Sequence, residues 1–275
     1  MKDRYSKSED FEIIDDVLIR YFGEGNIVTV PEGVKLIYDN AFFRKAHITE
    51  LKLPEGIEEL GKYAFYFNRR LRELKLPSTL KKIGEYAMSD SSLRSVKIPE
   101  GVSEIPNNCF AYCDSLKEIT LSDNIKVIGK MAFFVCRALK GVKLPRALEV
   151  IDERAFTACS ALEAVEFNEG IKEIGYEAFG SCERLSSVIL PSSVESVKNW
   201  AFKDCKNLKE VVIIGDAEVS DSAFTGCNKN LKVLRLPAST KIVKNPSSDG
   251  VVYLSCPDGE GIPEEIKKLK TVKMV

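Results

Sequence analysis

Pro54–Pro77 reads PEGIEELGKYAFYFNRRLRELKLP, a unit that closes on a proline where the same arrangement of apolar residues begins again. The unit recurs with a period of about 23 residues, and two of its steps are one residue shorter. Each of its nine copies contains a pair made of Ala or Cys followed by Phe or Met, here called the Ala-Phe pair. The pairs begin at Ala41, Ala64, Ala87, Cys109, Ala132, Ala155, Ala178, Ala201 and Ala223. A fixed period of this length predicts a solenoid, in which each unit buries its apolar side chains against the next.

The last part of each unit predicts a short strand. In Leu71–Leu76 apolar residues alternate with charged ones around Leu74, and Pro77 ends the strand. Stacked units place equivalent residues about 4.8 Å apart, so the strands line one face. The segment around the Ala-Phe pair predicts one or two helical turns. The sequence therefore predicts an α/β repeat solenoid of about nine rungs of about 23 residues, with a parallel β-lined face and a cap at each end.

The repeat resembles the BspA-type, or treponemal-type, bacterial leucine-rich repeat. The resemblance rests on Cys113-x-x-Leu116-x-x-Ile119-x-Leu121 and on units such as Leu185–Val197, and it covers about residues 30–237. It implies a right-handed coil whose β-lined face serves adhesion or protein interaction in that family. It implies no shared ligand.

The chain divides into four parts by pattern. Residues 1–10 predict a flexible tail, residues 11–30 an N-terminal β cap, residues 31–237 the leucine-rich repeat solenoid and residues 238–275 a C-terminal cap. Within the C-terminal cap the pattern predicts a loop, a strand, a short helix and a final strand. These lie at Ala238–Asp249, Val251–Ser255, Ile262–Leu269 and Thr271–Val275.

Composition restricts the compartment and the partners. The 40 basic and 41 acidic residues argue against a general nucleic-acid surface. The chain lacks an apolar run of the length that a membrane span needs, so no membrane insertion is expected. Met1–Asp10 has no secretory signal, which predicts an intracellular protein for the chain as given. If a signal has been removed, the expectation becomes a cell-surface or secreted protein.

No motif predicts catalysis, a cofactor or a metal. The single histidine, His47, would have to serve any Ser-His or Cys-His nucleophile, and we interpret it as an exposed turn residue. Six cysteines occupy one column, four residues after the start of the Ala-Phe pair: Cys113, Cys136, Cys159, Cys182, Cys205 and Cys227. Their repetition predicts small buried side chains that are reduced, with the thiol bonded weakly to backbone; disulfide pairs are the alternative. The protein is expected not to be an enzyme.

The residues that flank each strand centre are expected to point outward and to form the binding surface. In the N-terminal half acids stand beside lysines, which predicts a solvated face. Towards the C-terminus the face becomes apolar, which is typical of a site for a protein or peptide partner. Its candidate residues are Glu166, Ile189, Glu210, Val212, Val233 and Arg235. The sequence equally allows this part to be covered by the C-terminal cap.

A second surface is aromatic. Phe43, Tyr66 and Phe67 follow the Ala-Phe pairs on the outer turns. Packing between adjacent rungs accounts for such a column, and an adhesin that binds carbohydrate or a host surface is the alternative function it suggests.

Overall fold

The computed structural model is a solenoid in which each repeat unit forms one coil stacked on the next. It describes residues 4–236, Ser239 and the backbone of three later strands. A 3-10 turn at Ser8–Asp10 precedes the first strand. In chain order the strands up to residue 236 are β1 (Phe11–Ile14), β2 (Val17–Tyr21), β3 (Ile27–Thr29), β4 (Leu36–Ile37), β5 (Glu50–Lys52), β6 (Glu59–Leu60), β7 (Lys82–Ile83), β8 (Ser95–Lys97), β9 (Glu104–Ile105), β10 (Glu118–Thr120), β11 (Val127–Ile128), β12 (Gly141–Lys143), β13 (Val150–Ile151), β14 (Ala164–Glu166), β15 (Glu173–Ile174), β16 (Ser187–Leu190), β17 (Ser196–Val197), β18 (Glu210–Ile214), β19 (Glu218–Val219) and β20 (Lys232–Leu236).

The longer strands form the β-lined face that the sequence predicts, but its ladder is interrupted. Parallel pairing joins β3 to β5, β8 to β10, β12 to β14, and β16 to β18 and β20. The rung that contains Leu74 forms only an isolated bridge, from Glu73 to Ser95. Within residues 4–236 the face therefore consists of short groups of strands, with breaks after β5, β10 and β14.

A second ladder lies on another side of the coil and is more continuous. The five-residue β2 is followed by two-residue strands in the order β2-β4-β6-β7, with β1 antiparallel at the edge, and further two-residue strands stack in the order β9-β11-β13-β15-β17-β19. Each ends in a residue of one apolar column, for example Leu60, Ile128 and Val197. These apolar residues recur at one position of each repeat unit, but nothing in the sequence predicts that they lie in strands.

The prediction of helical turns around the Ala-Phe pairs is wrong. Residues 4–236 contain no α-helix, and these segments are tight turns. The residue before each Ala-Phe pair and the residue four positions later have positive φ in eight rungs, for example Met131 at 55° and Val135 at 63°. Alternate amides then point along the solenoid axis. Met131 N–H donates to the Glu153 carbonyl of the next rung at 2.9 Å, whereas Ala132 N–H donates within its own rung to Gly129 at 3.1 Å. A helix would keep all of these bonds within one rung.

The core is one cluster that runs the length of the repeats. Its widest column consists of stacked phenylalanine rings, for example Phe133 and Phe156, whose centroids lie 5.0 Å apart at 8°. Tyr21 continues the column at the N-terminal end, 5.3 Å from Phe42. Buried rings in contact with their neighbours above and below account for the regular stacking of the coils.

Beyond residue 236 three strands form a separate sheet: β21 (Lys241–Lys244), β22 (Val252–Ser255) and β23 (Val272–Met274). β21 lies inside the segment predicted to be a loop, so that prediction is wrong there. β22 and β23 fall within the two predicted strands. The predicted helix at Ile262–Leu269 lies outside the described residues, as do most of residues 238–275, on which the predicted C-terminal cap depends.

Candidate partner-binding surface

The middle of the β-lined face presents alternate side chains to solvent. In β10, β12 and β14 the central residue is buried, and the first residue is exposed in each: Glu118, Gly141 and Ala164. Thr120 and Lys143 are exposed at the third position, whereas Glu166 is half-buried. The backbone fixes these positions, so they form a rigid surface whose chemistry is set by substitution at the outward residues.

The apolar C-terminal part of the face is less open than the sequence predicts. Ile189 and Glu210 are half-buried. Val212 pairs with Ile189 in register and is only 1% exposed. The expectation that Val212 is an accessible contact residue is therefore wrong, because its side chain has almost no surface to offer a partner.

The register of the last rung also differs from the prediction. The regular repeat spacing aligns Val233 with Glu210 and Arg235 with Val212. The structure instead pairs Val211 with Val233 and Ile213 with Arg235. A slip of one residue exchanges the two faces of a strand, so both residues leave the predicted outward columns. Val233 is 45% exposed, and the Arg235 guanidinium donates to the carbonyls of Gly215 and Ala217 at 3.4 and 3.3 Å.

An open groove of about 800 Å³ crosses the first break in the β-lined face, and its lining extends from β5 over the rung of Leu74 to Ser92, Arg94 and Ser115. Its lining includes six cationic side chains and two acidic ones. These are Lys52, Arg69, Arg70, Arg72, Lys75 and Arg94, with Glu50 and Glu73. Lys52 pairs with Glu50 at 3.0 Å, and Arg69 donates to both carboxylate oxygens of Asp90 at 2.9 and 3.0 Å. The groove therefore carries an excess of positive charge on a chain whose net charge is −1.

The structure brings the three aromatic candidates together. The rings of Phe43 and Tyr66 stack with centroids 5.3 Å apart, and Phe67 lies 6.1 Å from Tyr66. Tyr63 and Tyr86 extend the group, here called the aromatic cluster. Phe43 is 38% exposed. The guanidinium groups of Arg44 and Arg69 lie over the ring of Phe67, at 4.9 and 4.1 Å from its centroid.

The cysteine column has the structural role that its repetition predicts. Within the described residues its members are free thiols, and each donates to a carbonyl of the preceding rung, for example Cys159 to Phe133 at 3.2 Å. Asn68 occupies the same column and donates to Phe42 in the same way, at 3.0 Å. Burial raises the pKa of Cys113 to about 11. These thiols therefore serve as hydrogen-bond donors that link each rung to the preceding one.

His47 is not the exposed turn residue that the sequence suggests. Its side chain is half-buried, and Nε2 is buried without a hydrogen-bond partner in the described part of the chain. Burial lowers the pKa of the imidazole, while nearby Glu24 raises it by a smaller amount. Nε2 is thus shielded from solvent although the ring as a whole is half-buried.

The described residues lack both a metal-binding cluster and a membrane-spanning helix. No group of three or more His, Cys, Asp or Glu side chains there is placed to hold a metal ion. No helix in that part of the chain has the length and apolar character needed to cross a lipid bilayer.

Stacked parallel coils with a β-lined face, a phenylalanine column and a repeat of about 23 residues define a leucine-rich repeat protein. The sequence model of the family described as BspA type leucine-rich repeat region matches residues 35–145 and 128–247, in six copies. The chain therefore belongs to the BspA-type leucine-rich repeat family. Proteins with leucine-rich repeats generally act in protein interaction or at surfaces. Among curated proteins, no relative matches the sequence.

Solved structures agree with this assignment. A leucine-rich repeat protein from Bacteroides ovatus is 27% identical with a TM-score of 0.71; the match covers 90% of this chain and 60% of that one. The chain thus spans less than two thirds of the length of that relative. The T. pallidum protein TpLRR is 25% identical with a TM-score of 0.61, over 66% of this chain and 91% of its own.

Proposed function

We propose that the protein is a non-catalytic module that binds another protein or a peptide across its β-lined face. One observation carries the proposal: from β5 to β12 the outward residues of successive rungs are exposed, beside an open groove of about 800 Å³. A surface of this kind, rigid in its backbone and variable in its side chains, suits recognition of a partner. Family membership supports the same class of function.

The surface that we propose differs from the one that the sequence favours. Glu118, Thr120 and Lys143 lie at its centre, and Glu166 and Ile189 extend it towards the C-terminus. The burial of Val212 and the shifted register of Val233 and Arg235 leave these three residues outside it.

Site-specific photocrosslinking tests the location. A benzophenone amino acid at Thr120, which is exposed at the end of β10, is expected to capture a partner protein in lysate or envelope fractions of the source organism. The matched control carries the same group at Lys126, which is also exposed but lies beside β11 on the second ladder. Equal capture at both positions, or capture only at Lys126, would contradict binding across the β-lined face.

The aromatic cluster supports a second candidate function, adhesion to carbohydrate or to a host surface. Stacked rings with one partly exposed member, Phe43, resemble the apolar platform on which a sugar ring packs. Coverage of Phe67 by two guanidinium groups argues for an internal structural role of that ring. Glycan-array binding that is lost in Phe43→Ala and Tyr66→Ala but kept in Thr120→Ala would favour adhesion over the first proposal.

A further inference from the structure

Ion pairs between neighbouring rungs neutralise much of the surface of the solenoid. Because equivalent positions stack, a cation on one rung lies beside an acid one full repeat away in the chain. Examples are Lys62 with Glu85 at 3.1 Å, Lys130 with Glu153 at 2.8 Å and Arg137 with Asp114 at 2.7 Å. Cross-rung pairing of opposite charges is the arrangement that favours stacking.

One line of residues departs from this rule. Arg72, Arg94, Lys117 and Lys140 occupy the same position on four successive rungs, immediately before the strands of the β-lined face. Their stacking is fixed by backbone bonds: Arg94 N–H donates to the Arg72 carbonyl at 3.0 Å, Lys117 to Arg94 at 2.8 Å and Lys140 to Lys117 at 3.5 Å. We call these four residues the cationic file.

The cations of the file form no ion pairs among the described residues, although Glu163 follows Lys140 at the same position of the next rung. All four side chains are exposed, and none forms an ion pair with an acid in the described part of the chain. Like charges on residues stacked about 4.8 Å apart repel one another, and an anion bound along the file would relieve that repulsion. Arg72 and Arg94 also line the open groove, so the file is continuous with it.

We propose that the cationic file binds an acidic segment of a partner protein, extended along the solenoid axis. The proposal rests on the function proposed above and names the chemistry of the partner. In an extended peptide alternate side chains lie about 6.8 Å apart, so acids at every second residue match a file of about 14 Å with three carboxylates. The exposed arginine and lysine side chains of the file are long and flexible enough to donate charge-assisted hydrogen bonds to such carboxylates.

Neighbouring acids favour a peptide over a uniformly charged polymer. Glu73 and Glu118 are exposed and immediately follow Arg72 and Lys117. They lie beside the file on the same face and repel a chain that carries phosphate or sulfate on every unit. A peptide in which acids alternate with neutral residues can direct its carboxylates at the cations and its neutral residues at the neighbouring acids.

Fluorescence anisotropy with purified components tests the proposal. The probe is a labelled peptide of about ten residues in which glutamate alternates with serine, at about 50 mM NaCl, where charge interactions are weakly screened. We expect saturable binding that weakens at higher salt, and no binding of the same peptide with glutamine in place of glutamate. The double variant Arg94→Gln/Lys117→Gln is expected to bind about tenfold more weakly.

The matched control Lys126→Gln/Lys172→Gln makes the same change in net charge. Both control lysines are exposed and lie next to the second ladder, outside the file. Its affinity is expected to stay within about twofold of the wild type. Since the file is self-repelling, Arg94→Gln/Lys117→Gln is also expected to melt at or above the wild-type temperature. A lower melting temperature would show that the cations stabilise the fold through contacts of their own, and would overturn the argument.

Three other results would overturn the proposal. They are equal binding by the two double variants, absence of glutamate-peptide binding to the wild type, and tighter binding of a heparin-derived hexasaccharide through the same residues. If the peptide fails to bind while the photocrosslinker at Thr120 still captures a protein, the acidic chemistry is wrong and the proposed function stands. If the peptide does not bind and no protein is crosslinked at Thr120, both the acidic-segment proposal and the proposed function are contradicted.

Discussion

Residues with positive φ determine the path of each turn, and most are not the residue types that favour this conformation. The left-handed region is costly for a side chain with a Cβ atom, by about 1–2 kcal/mol for each residue. Asn40 and Asn108 suit it, but Tyr63, Met131 and Val135 do not. Backbone bonds to the next rung hold these residues in place, since Val135 N–H donates to the Thr157 carbonyl at 2.8 Å. The stack, and not the local sequence, selects the conformation.

Replacing Ala158 by glycine tests this interpretation through the sign of the effect. Ala158 has a φ of 62° and donates its N–H to the Gly180 carbonyl at 2.8 Å, a bond that glycine retains. Ala158→Gly is expected to raise the free energy of unfolding by about 0.5–1 kcal/mol, because it relieves left-handed strain. In a helical turn the same change would lower stability by about 1 kcal/mol. Urea unfolding measures the difference, with Ala155→Gly, at a buried position of ordinary φ, as the destabilising control.

His47 predicts a pH dependence of stability. The pKa of its imidazole is lowered in the folded state, chiefly by burial. The unfolded chain therefore binds more protons near and below the ordinary histidine pKa of about 6.5. The contribution of neutral His47 to the unfolding free energy is fully present above that pH. It is lost as the pH falls through the lower folded-state pKa. The unfolding free energy of wild type should drop between about pH 7 and 5.5, above the range in which carboxylates titrate, and that of His47→Gln should change less. Parallel curves for the two proteins would contradict the assignment.

At the scale of elements, the sequence predicts those features that recur with a side-chain pattern of their own. Strands of the β-lined face alternate apolar and polar residues around a buried centre such as Ile119 or Val142, so their positions follow from periodicity. The second ladder cannot be predicted in this way, because its strands other than β1 and β2 have two residues, too few to show alternation. The turns cannot be predicted, because equivalent positions such as Met131 and Arg154 share a backbone conformation but not a residue type that favours it.

The candidate site shows the same limit. Outward positions from β5 to β14 can be predicted, since successive strands there lie one repeat apart. β20 begins one residue earlier than the regular spacing predicts, which places Val233 and Arg235 out of the expected register. The burial of Val212 depends on packing that its own strand does not encode. The repeat predicts that Arg94 and Lys117 stack on successive rungs, but the structure is needed to show that neither forms an ion pair in the described part of the chain.

The second ladder predicts a large cost for a single truncation in its apolar column. Ile128 is fully buried in β11, between Ile105 and Ile151 of the neighbouring strands. Ile128→Ala should lower the free energy of unfolding by about 2–5 kcal/mol, through lost burial and the cavity that remains. Lys126→Ala, two residues away and exposed, should stay within about 0.5 kcal/mol of the wild type. Equilibrium denaturation that found equal stability for the two variants would contradict the column.

At the scale of the molecule, one continuous core supports faces of different character. The buried cluster extends from Leu18 to Ala223, so each surface column lies on a rigid frame. Many inter-rung charges are paired, the aromatic cluster packs on itself, and the cationic file has no ion-pair partner among the described residues beside the open groove. A solenoid of this kind separates stability, which depends on the inner columns, from recognition, which depends on the outer ones.

Binding on one face of the coil is tested most directly by amide chemical shifts in two-dimensional NMR spectra, recorded as the glutamate–serine peptide is added. Shift changes are predicted to cluster at the cationic file and at β10, on successive rungs, and to be absent from β11, β13 and β15 on the second ladder. Changes confined to that ladder or to the aromatic cluster, or spread evenly over the surface, would contradict recognition by the β-lined face.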